Sequence, residues 1–207
     1  MPKQKVGSGE TTSSLAKKNG FFWRTIWDHP ENAQLKAKRK DPNVLFADDD
    51  IFIPEKKNKQ VSKSSEQEHV FKLKGEPAKI KMQLLQLGEP RKNEAYVIDI
   101  DGTQMAGSTD GEGRLEHYIP PDAASGKLIL KGGREVYPLR LGYLDPLDSV
   151  SGVQQRLNNL GYGCGGELGT LGEKTREALK KFQADQNLQA TGEADAATKA
   201  KLQQLSK

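Results

Sequence analysis

The 207-residue sequence predicts a multidomain α+β protein: a small βααβ module over residues 1–54, an all-β sandwich over 70–145 and a C-terminal three-helix bundle over 146–207. Three observations lead there. Hydrophobic residues make up 34% of the chain and aromatics 6%, with 21 Gly and 10 Pro, which is too thin and too punctuated for one large core. The stretch Glu55–Glu68, EKKNKQVSKSSEQE, has a single apolar residue, Val61, and cannot offset its ordering entropy by burial, so residues 55–69 read as a flexible linker. Near Leu144–Asp148, LDPLD, strand-like alternation gives way to helical spacing, with Pro146 as the break.

In the first module a short strand around Lys5–Val6 precedes Gly9-Glu10-Thr11. Thr11 is placed to cap a helix that turns Leu15 and Ala16 inward, and Gly20 to stop it. Trp23, Ile26 and Trp27 at i, i+3 and i+4 mark a second helix. The run Lys36, Lys38, Arg39, Lys40 reads as a solvated helix end, and Ile51-Phe52-Ile53 as the closing strand before Pro54. In the middle module Ile80, Met82 and Leu84, then Tyr96, Ile98 and Ile100, Leu128 and Leu130, and Tyr137, Leu139 and Leu141 follow period two between Gly-rich turns. This is the pattern of six or seven short antiparallel strands. In the last module Ser149 can cap a helix carrying Val150, Val153, Leu157 and Leu160. Thr175, Ala178, Leu179 and Phe182 form a second face, and Asp195 caps a third helix carrying Leu202 and Leu205.

Composition narrows the function classes. The net charge is +4, but residues 1–69 carry 13 basic and 10 acidic side chains, 70–145 carry 11 and 11, and 146–207 carry 8 and 7. No segment has the basic excess of a nucleic-acid footprint, so no nucleic-acid partner is expected. No apolar run approaches the roughly 18–20 residues of a membrane span, and no apolar stretch follows the basic N-terminus, so neither membrane insertion nor a signal peptide is expected. The lone Cys164 fits synthesis in a reducing cytoplasm. With three scattered His (His29, His69, His117) it leaves no zinc ligand set, and no cofactor is expected.

Nor does any catalytic constellation stand out. Ser13, Ser14, Asp28 and His29 lack an orienting acid, and Cys164 lacks a neighbouring His. Asp99, Asp101, Asp110 and Glu112 lie in hairpin turns rather than in a helix-flanked calcium loop, so no metal site is expected. The chain is therefore expected not to be an enzyme.

Two of the modules, and part of the third, resemble known families. The C-terminal positions Gln155, Leu157, Leu160-Gly161-Tyr162, Gly169, Leu171-Gly172, Thr175, Ala178, Phe182-Gln183, Leu188, Thr191-Gly192, Asp195 and Thr198 look like the three-helix peptidoglycan-binding domain attached to many cell-wall hydrolases. Leu168 departs from that pattern, where an Asp usually precedes the loop glycine. The resemblance implies that Tyr162, an aromatic with a polar tip at a loop, contacts glycan. In that bundle Leu157, Leu160, Leu179 and Phe182 would fill the core, and Gly161, Gly169 and Gly172 would allow tight or positive-φ turns.

The opening Val6, Gly9-Glu10-Thr11, Leu15-Ala16, Gly20 and the close Leu45-Phe46-Ala47-Asp48-Asp49, Ile51-Phe52-Ile53-Pro54 resemble a LysM domain. Glu10, Thr12 and Ala47-Asp48 depart from its pattern, and Asp48 stands where a left-handed turn residue is needed. This resemblance implies that N-acetylated sugars bind between Gly9, Glu10, Thr11 and Thr12 on one loop and Asn43, Val44 and Leu45 on the other. The insert HPENAQLKAKRKDPN looks like those in LysM proteins of contractile injection systems, and AYVIDIDGTQMAGSTDGEGRLEHYIP is similar to prealbumin-like or carboxypeptidase-regulatory-like domains.

Together these imply a non-catalytic adaptor that binds peptidoglycan or another N-acetylated glycan. It would be a spike- or baseplate-associated accessory of a type VI secretion or phage-tail-like apparatus, made in the cytoplasm and carried to the periplasm or cell wall. The alternative is a docking or cargo-loading component of such a machine that no longer binds glycan.

Overall fold

The computed structural model describes residues 3–56, 62, 65, 67–68, 78–166 and 168–206, so most of the expected linker and the stretch 69–77 fall outside the described residues. The chain is mixed α+β and its C-terminal region is helical. Its buried apolar side chains gather into three separate clusters, one in each third of the sequence.

In the first third, β1 (Gln4–Lys5) pairs antiparallel with β2 (Asp50–Ile51), Gln4 opposite Ile51. Both strands begin one residue earlier than Lys5–Val6 and Ile51–Ile53; Val6 bonds the backbone of Asp48 and Asp49, while at Phe52 a side chain takes over the ladder. Asn32 is buried, and its Oδ1 accepts from the Phe52 amide at 2.7 Å while its Nδ2 donates to the carbonyls of Phe52 and Ile26, both at 2.8 Å. Helix α1 (Thr12–Asn19) starts where Thr11 Oγ1 accepts from Ser14 N at 3.1 Å and Ser14 Oγ accepts from Thr11 N at 2.9 Å. This reciprocal cap satisfies two orphan donors, and Gly20 ends the helix at φ 67°. Helix α2 (Trp23–Trp27) follows directly. The insert folds as a 3-10 turn (Pro30–Asn32) and a further helix, α3 (Ala33–Arg39), whose Leu35 joins Leu15, Ile26, Trp27 and Ile51 in the core. Asp48 sits at φ 70°, the left-handed turn position its residue type tolerates.

In the middle, β3 (Ala78–Gln83) pairs with β8 (Arg114–Ile119). A four-stranded antiparallel sheet runs in the order β10 (Glu135–Arg140), β9 (Ser125–Leu130), β6 (Ala95–Ile100), β7 (Thr103–Ser108). A small hairpin joins β4 (Leu85–Gln86) to β5 (Glu89–Pro90). The pair and the sheet share one core of Ile80, Ile98, Ile100, Leu115, Leu128 and Leu130, and Tyr96 Oη lies 2.8 Å from His117 Nε2 across it. Tyr137 does not join Leu139 and Leu141 inside. It stands half exposed on β10, which is an edge strand among the described residues. Asp101 and Gly102 both have positive φ, the geometry of a two-residue hairpin.

The last third holds α4 (Val150–Asn159), α5 (Glu173–Asp185) and α6 (Ala196–Leu205), with Ser149 Oγ accepting from Gly152 N and Asp195 Oδ1 accepting from Thr198 N. Val153, Leu157, Leu179, Phe182 and Leu202 fill the core. Leu160 is half-buried, Val150 stays outside and Leu205 is exposed. Gly161 and Gly169 have positive φ, whereas Gly172 sits at φ −79°, ψ 179° as the extended N-cap of α5. Buried amides close the loops. Gln183 Nε2 shares its hydrogens among Thr191 Oγ1, Thr198 Oγ1 and the Glu193 carbonyl at 2.8–3.0 Å, and its Oε1 accepts from Gly192 N at 2.9 Å. Gln154 does the same for the other loop, donating to Thr170 O and Thr175 Oγ1 and accepting from Gly169 N at 2.7 Å.

Two predictions follow from these contacts. Gln183→Leu keeps the volume but strands Gly192 N, the Glu193 carbonyl and two threonine hydroxyls, and is expected to destabilise the helical third by about 2–3 kcal/mol, read by amide exchange at Leu179 and Leu202. In the middle third, Lys131 and Arg91 bond Glu135 and hold its carboxyl down at about 2. Because the folded value lies below the ordinary one, this stabilisation is complete above the ordinary carboxylate range and is lost as pH falls towards about 2. Thermal melts of the sheet between pH 5 and 2 should therefore fall more steeply for the native chain than for Glu135→Gln.

Candidate functional site

The structure brings together the two loops singled out in the first third. Thr12 N donates to Pro42 O at 2.9 Å and Ser13 Oγ to Asn43 Oδ1 at 2.7 Å. Asn43 N is itself held by Asp41 Oδ1, and Val44 N by Asp41 O. Much of what could meet a sugar here is already engaged. Thr11 caps α1, Thr12 and Leu45 are buried, and Glu10 Oε2 accepts from Gly7 N at 2.9 Å. Thr12 Oγ1 has no hydrogen-bond partner among the described residues.

The chain's own backbone and ring also cover this loop. Gly9 is at φ 77°, and a Cβ there would lie 2.6 Å from Tyr143 Cζ, so the Tyr143 ring rests directly on the glycine. A Cβ on Gly142 would come within 2.9 Å of Gly9 O, and the Arg140 guanidinium stacks 5.7 Å from the Tyr143 ring. Charges fasten the same segment. Arg39 bonds Asp49 through Nε at 2.7 Å and reaches Asp148, just before α4, at 3.1 Å. Burial opposes ionisation of Asp49, but the bonds from Arg39 and from Phe46 N outweigh it and hold the carboxyl below its usual range. Lys17 pairs with Asp122, a further tie between the first and middle thirds. Arg156 is buried with no carboxylate bonded to it. Burial lowers its affinity for a proton, and Asp145 O and Gly152 O accept from its Nη1 at 2.7 and 2.8 Å. With Lys36 on Asp28 and Lys38 on Asp49, the basic run of α3 is largely spent on internal pairs.

Tyr162 lies elsewhere, at a shallow groove of about 400 Å3 lined by Gly161, Tyr162, Gly163, Lys174, Glu177, Ala178 and Lys181. Its ring packs edge-on against Phe182, centroids 5.4 Å apart, and its hydroxyl donates to Asp185 Oδ2 at 2.9 Å. Burial first, and then the Asp185 charge, push the phenol above its ordinary range. The polar tip is thus engaged within the domain, which leaves the ring to line the groove. The loop is fixed from below by Tyr162 N donating to Leu157 O and Cys164 N to Asn158 Oδ1. Sequence reasoning passed over Lys174, Glu177 and Lys181, although their i, i+3, i+7 spacing puts them on one face of α5. Tyr143 gave no local signal at all.

The remaining polar candidates have structural partners. His29 Nδ1 accepts from Glu31 N and its ring packs on Phe52, while Asp110 Oδ1 accepts from the amides of Glu112 and Arg114. Cys164 is buried, which pushes its thiol up and away from reactivity. Among the described residues no group of three or more His, Cys, Asp or Glu could hold a metal, and no helix is long and apolar enough to cross a membrane.

Residues 146–202 match the family model of the peptidoglycan binding domain, which covers α4, α5 and most of α6 together with the Tyr162 groove. No curated protein and no solved structure matches the chain.

The covering contact is testable. Tyr143→Ala removes a ring contact worth about 1 kcal/mol, so amide exchange at Gly9 and Glu10 should quicken about fivefold while that of Leu179 stays unchanged.

Proposed function

We propose that the protein is a non-catalytic adaptor that binds peptidoglycan through its C-terminal helices. The observation that carries this reading is the family match over 146–202, which coincides with the groove beside Tyr162. The groove is shallow and open, suited to a chain-like polymer that passes over the surface rather than to a small molecule that must be enclosed. The polar candidates elsewhere are held in structural bonds, which suits a binding role rather than a catalytic one.

In this reading the protein is an accessory of a contractile injection or type VI secretion system, associated with its spike or baseplate and delivered by it to the periplasm or wall. Support comes from the insert HPENAQLKAKRKDPN and its resemblance to those of LysM proteins in such machines. The LysM-like first third would add a second, weak glycan contact through Gly9–Thr12 and Asn43–Leu45, and the prealbumin-like middle third would space the two.

One observation favours a second reading for the first third. The Gly9 loop is seated against Tyr143 and Gly142, which suits a docking module better than a free sugar site. A component built this way would hold protein, its own chain included, and leave glycan to the helices.

Sedimentation with insoluble peptidoglycan tests the main reading: the full chain is expected in the pellet, and retention in the supernatant beside a sedimenting control binder overturns it. Co-purification with spike or baseplate proteins from native lysate tests the assembly, and a strictly unassociated monomer counts against it.

A further inference from the structure

The face of α5 that borders the groove carries alternating charge. Lys174, Glu177 and Lys181 stand at i, i+3 and i+7 on one face, so the two lysine Cα atoms are about 10 Å apart along the axis with Glu177 between them. Among the described residues none of the three side chains takes part in an ion pair or hydrogen bond.

On the side turned towards the 191–193 loop, Arg176 pairs with Glu193 and Lys180 lays its stem along Gly192. The stem of Lys174 is likewise placed: a Cβ on Gly165 would lie 2.8 Å from its Cδ, so the aliphatic stem rests on bare glycine backbone at the groove's lining. Tyr162, its hydroxyl committed to Asp185, supplies an apolar wall.

Peptidoglycan offers such a groove two chemistries. Its N-acetylated sugars are uncharged along the strand and would leave two lysines and a glutamate unanswered. Its stem peptides carry free carboxylates and, where a diamino acid is present and uncrosslinked, a free ammonium. Three extended residues at roughly 3.3 Å each reach the span between the lysines. We propose that this groove binds the stem peptide rather than the glycan, with carboxylates at Lys174 and Lys181 and an ammonium at Glu177. The proposal rests on the peptidoglycan reading above and refines it.

The test uses the full chain. Labelled protein is titrated with the free tripeptide L-alanyl-γ-D-glutamyl-meso-diaminopimelate and, separately, with an N-acetylglucosamine tetramer. The tripeptide should shift the amides of Gly161, Tyr162, Gly163 and Ala178. Equal or larger shifts there from the sugar would overturn the proposal. Lys174→Gln with Lys181→Gln should weaken tripeptide binding about tenfold, and Lys174→Arg with Lys181→Arg should restore it. Glu177→Gln should weaken the tripeptide but not its Nε-acetylated form, a distinction that a merely structural role would not produce.

Sedimentation with intact walls, challenged by soluble stem peptides or by soluble stem-free glycan strands, separates this proposal from its premise. Release from the pellet by the peptides and not by the strands is expected. Release by the strands alone overturns stem recognition and leaves the wall-binding reading standing, whereas failure to sediment with intact walls at all overturns both.

Discussion

The C-terminal domain depends on two glutamine amides placed where apolar side chains would be expected. Gln154 and Gln183 are both buried, each projecting from a helix into a neighbouring loop. A loop turned into a core leaves backbone donors and acceptors that water cannot reach, and each such group costs on the order of 1–3 kcal/mol if unmet. One primary amide can answer a carbonyl and an amide together, so each glutamine closes a loop that three short helices could not otherwise fix. Leu179 and Phe182 pack on the same helix that presents Gln183, and the rigid bundle they form with Leu157 and Leu202 allows the opposite face of α5 to carry unpaired charge without collapsing it.

A second constraint joins the thirds of the molecule. Arg39 is almost fully buried between Asp49, in the turn before β2, and Asp148, beside the cap of α4. The Arg39–Asp49 pair is buried within the first third, whereas the Asp148 side chain is 65% exposed, so the tie across to α4 is a partly solvated pair of modest strength. Tyr143 on Gly9 acts with it by shape: only a glycine lets the ring tip come this close to the backbone. The stretch 142–148, which looked in the sequence like a simple boundary, is thus a joint between modules, with a residue docked at either end.

What was legible in the sequence was local. Caps at Thr11, Ser149 and Asp195, stops at Gly20 and Gly161, and the left-handed turn at Asp48 follow from the chemistry of one residue and its neighbours. Period-two and helical spacing located the strands and helices because burial enforces them. Other features depend on partners distant in sequence. Strand β2 ends early because Asn32 intercepts the ladder at Phe52, and Tyr137 is exposed on a strand that is an edge among the described residues. The cover on Gly9 comes from a tyrosine in another module, and no spacing rule connects the two. The charges of α5 were visible in principle, but polar helix faces are usually solvated. Their meaning depends on seeing that Arg176 has a partner and that Lys174 has none among the described residues.

These two constraints bear on how the protein can hold a wall. Avidity from two weak sites requires both to be open and the chain between them to span their separation. With the Gly9 loop resting against Tyr143, the two sites cannot act as free ends of a tether. The first third can add a glycan contact only by giving up its contact with the 142–148 segment, so any such gain is reduced by the cost of undocking. Binding by the helices alone faces no such competition, since the groove beside Tyr162 lies apart from Arg39, Asp148 and Tyr143. Retention on the wall would then depend on what one groove can recognise, and alternating charge held on a rigid helix gives a single shallow groove its selectivity.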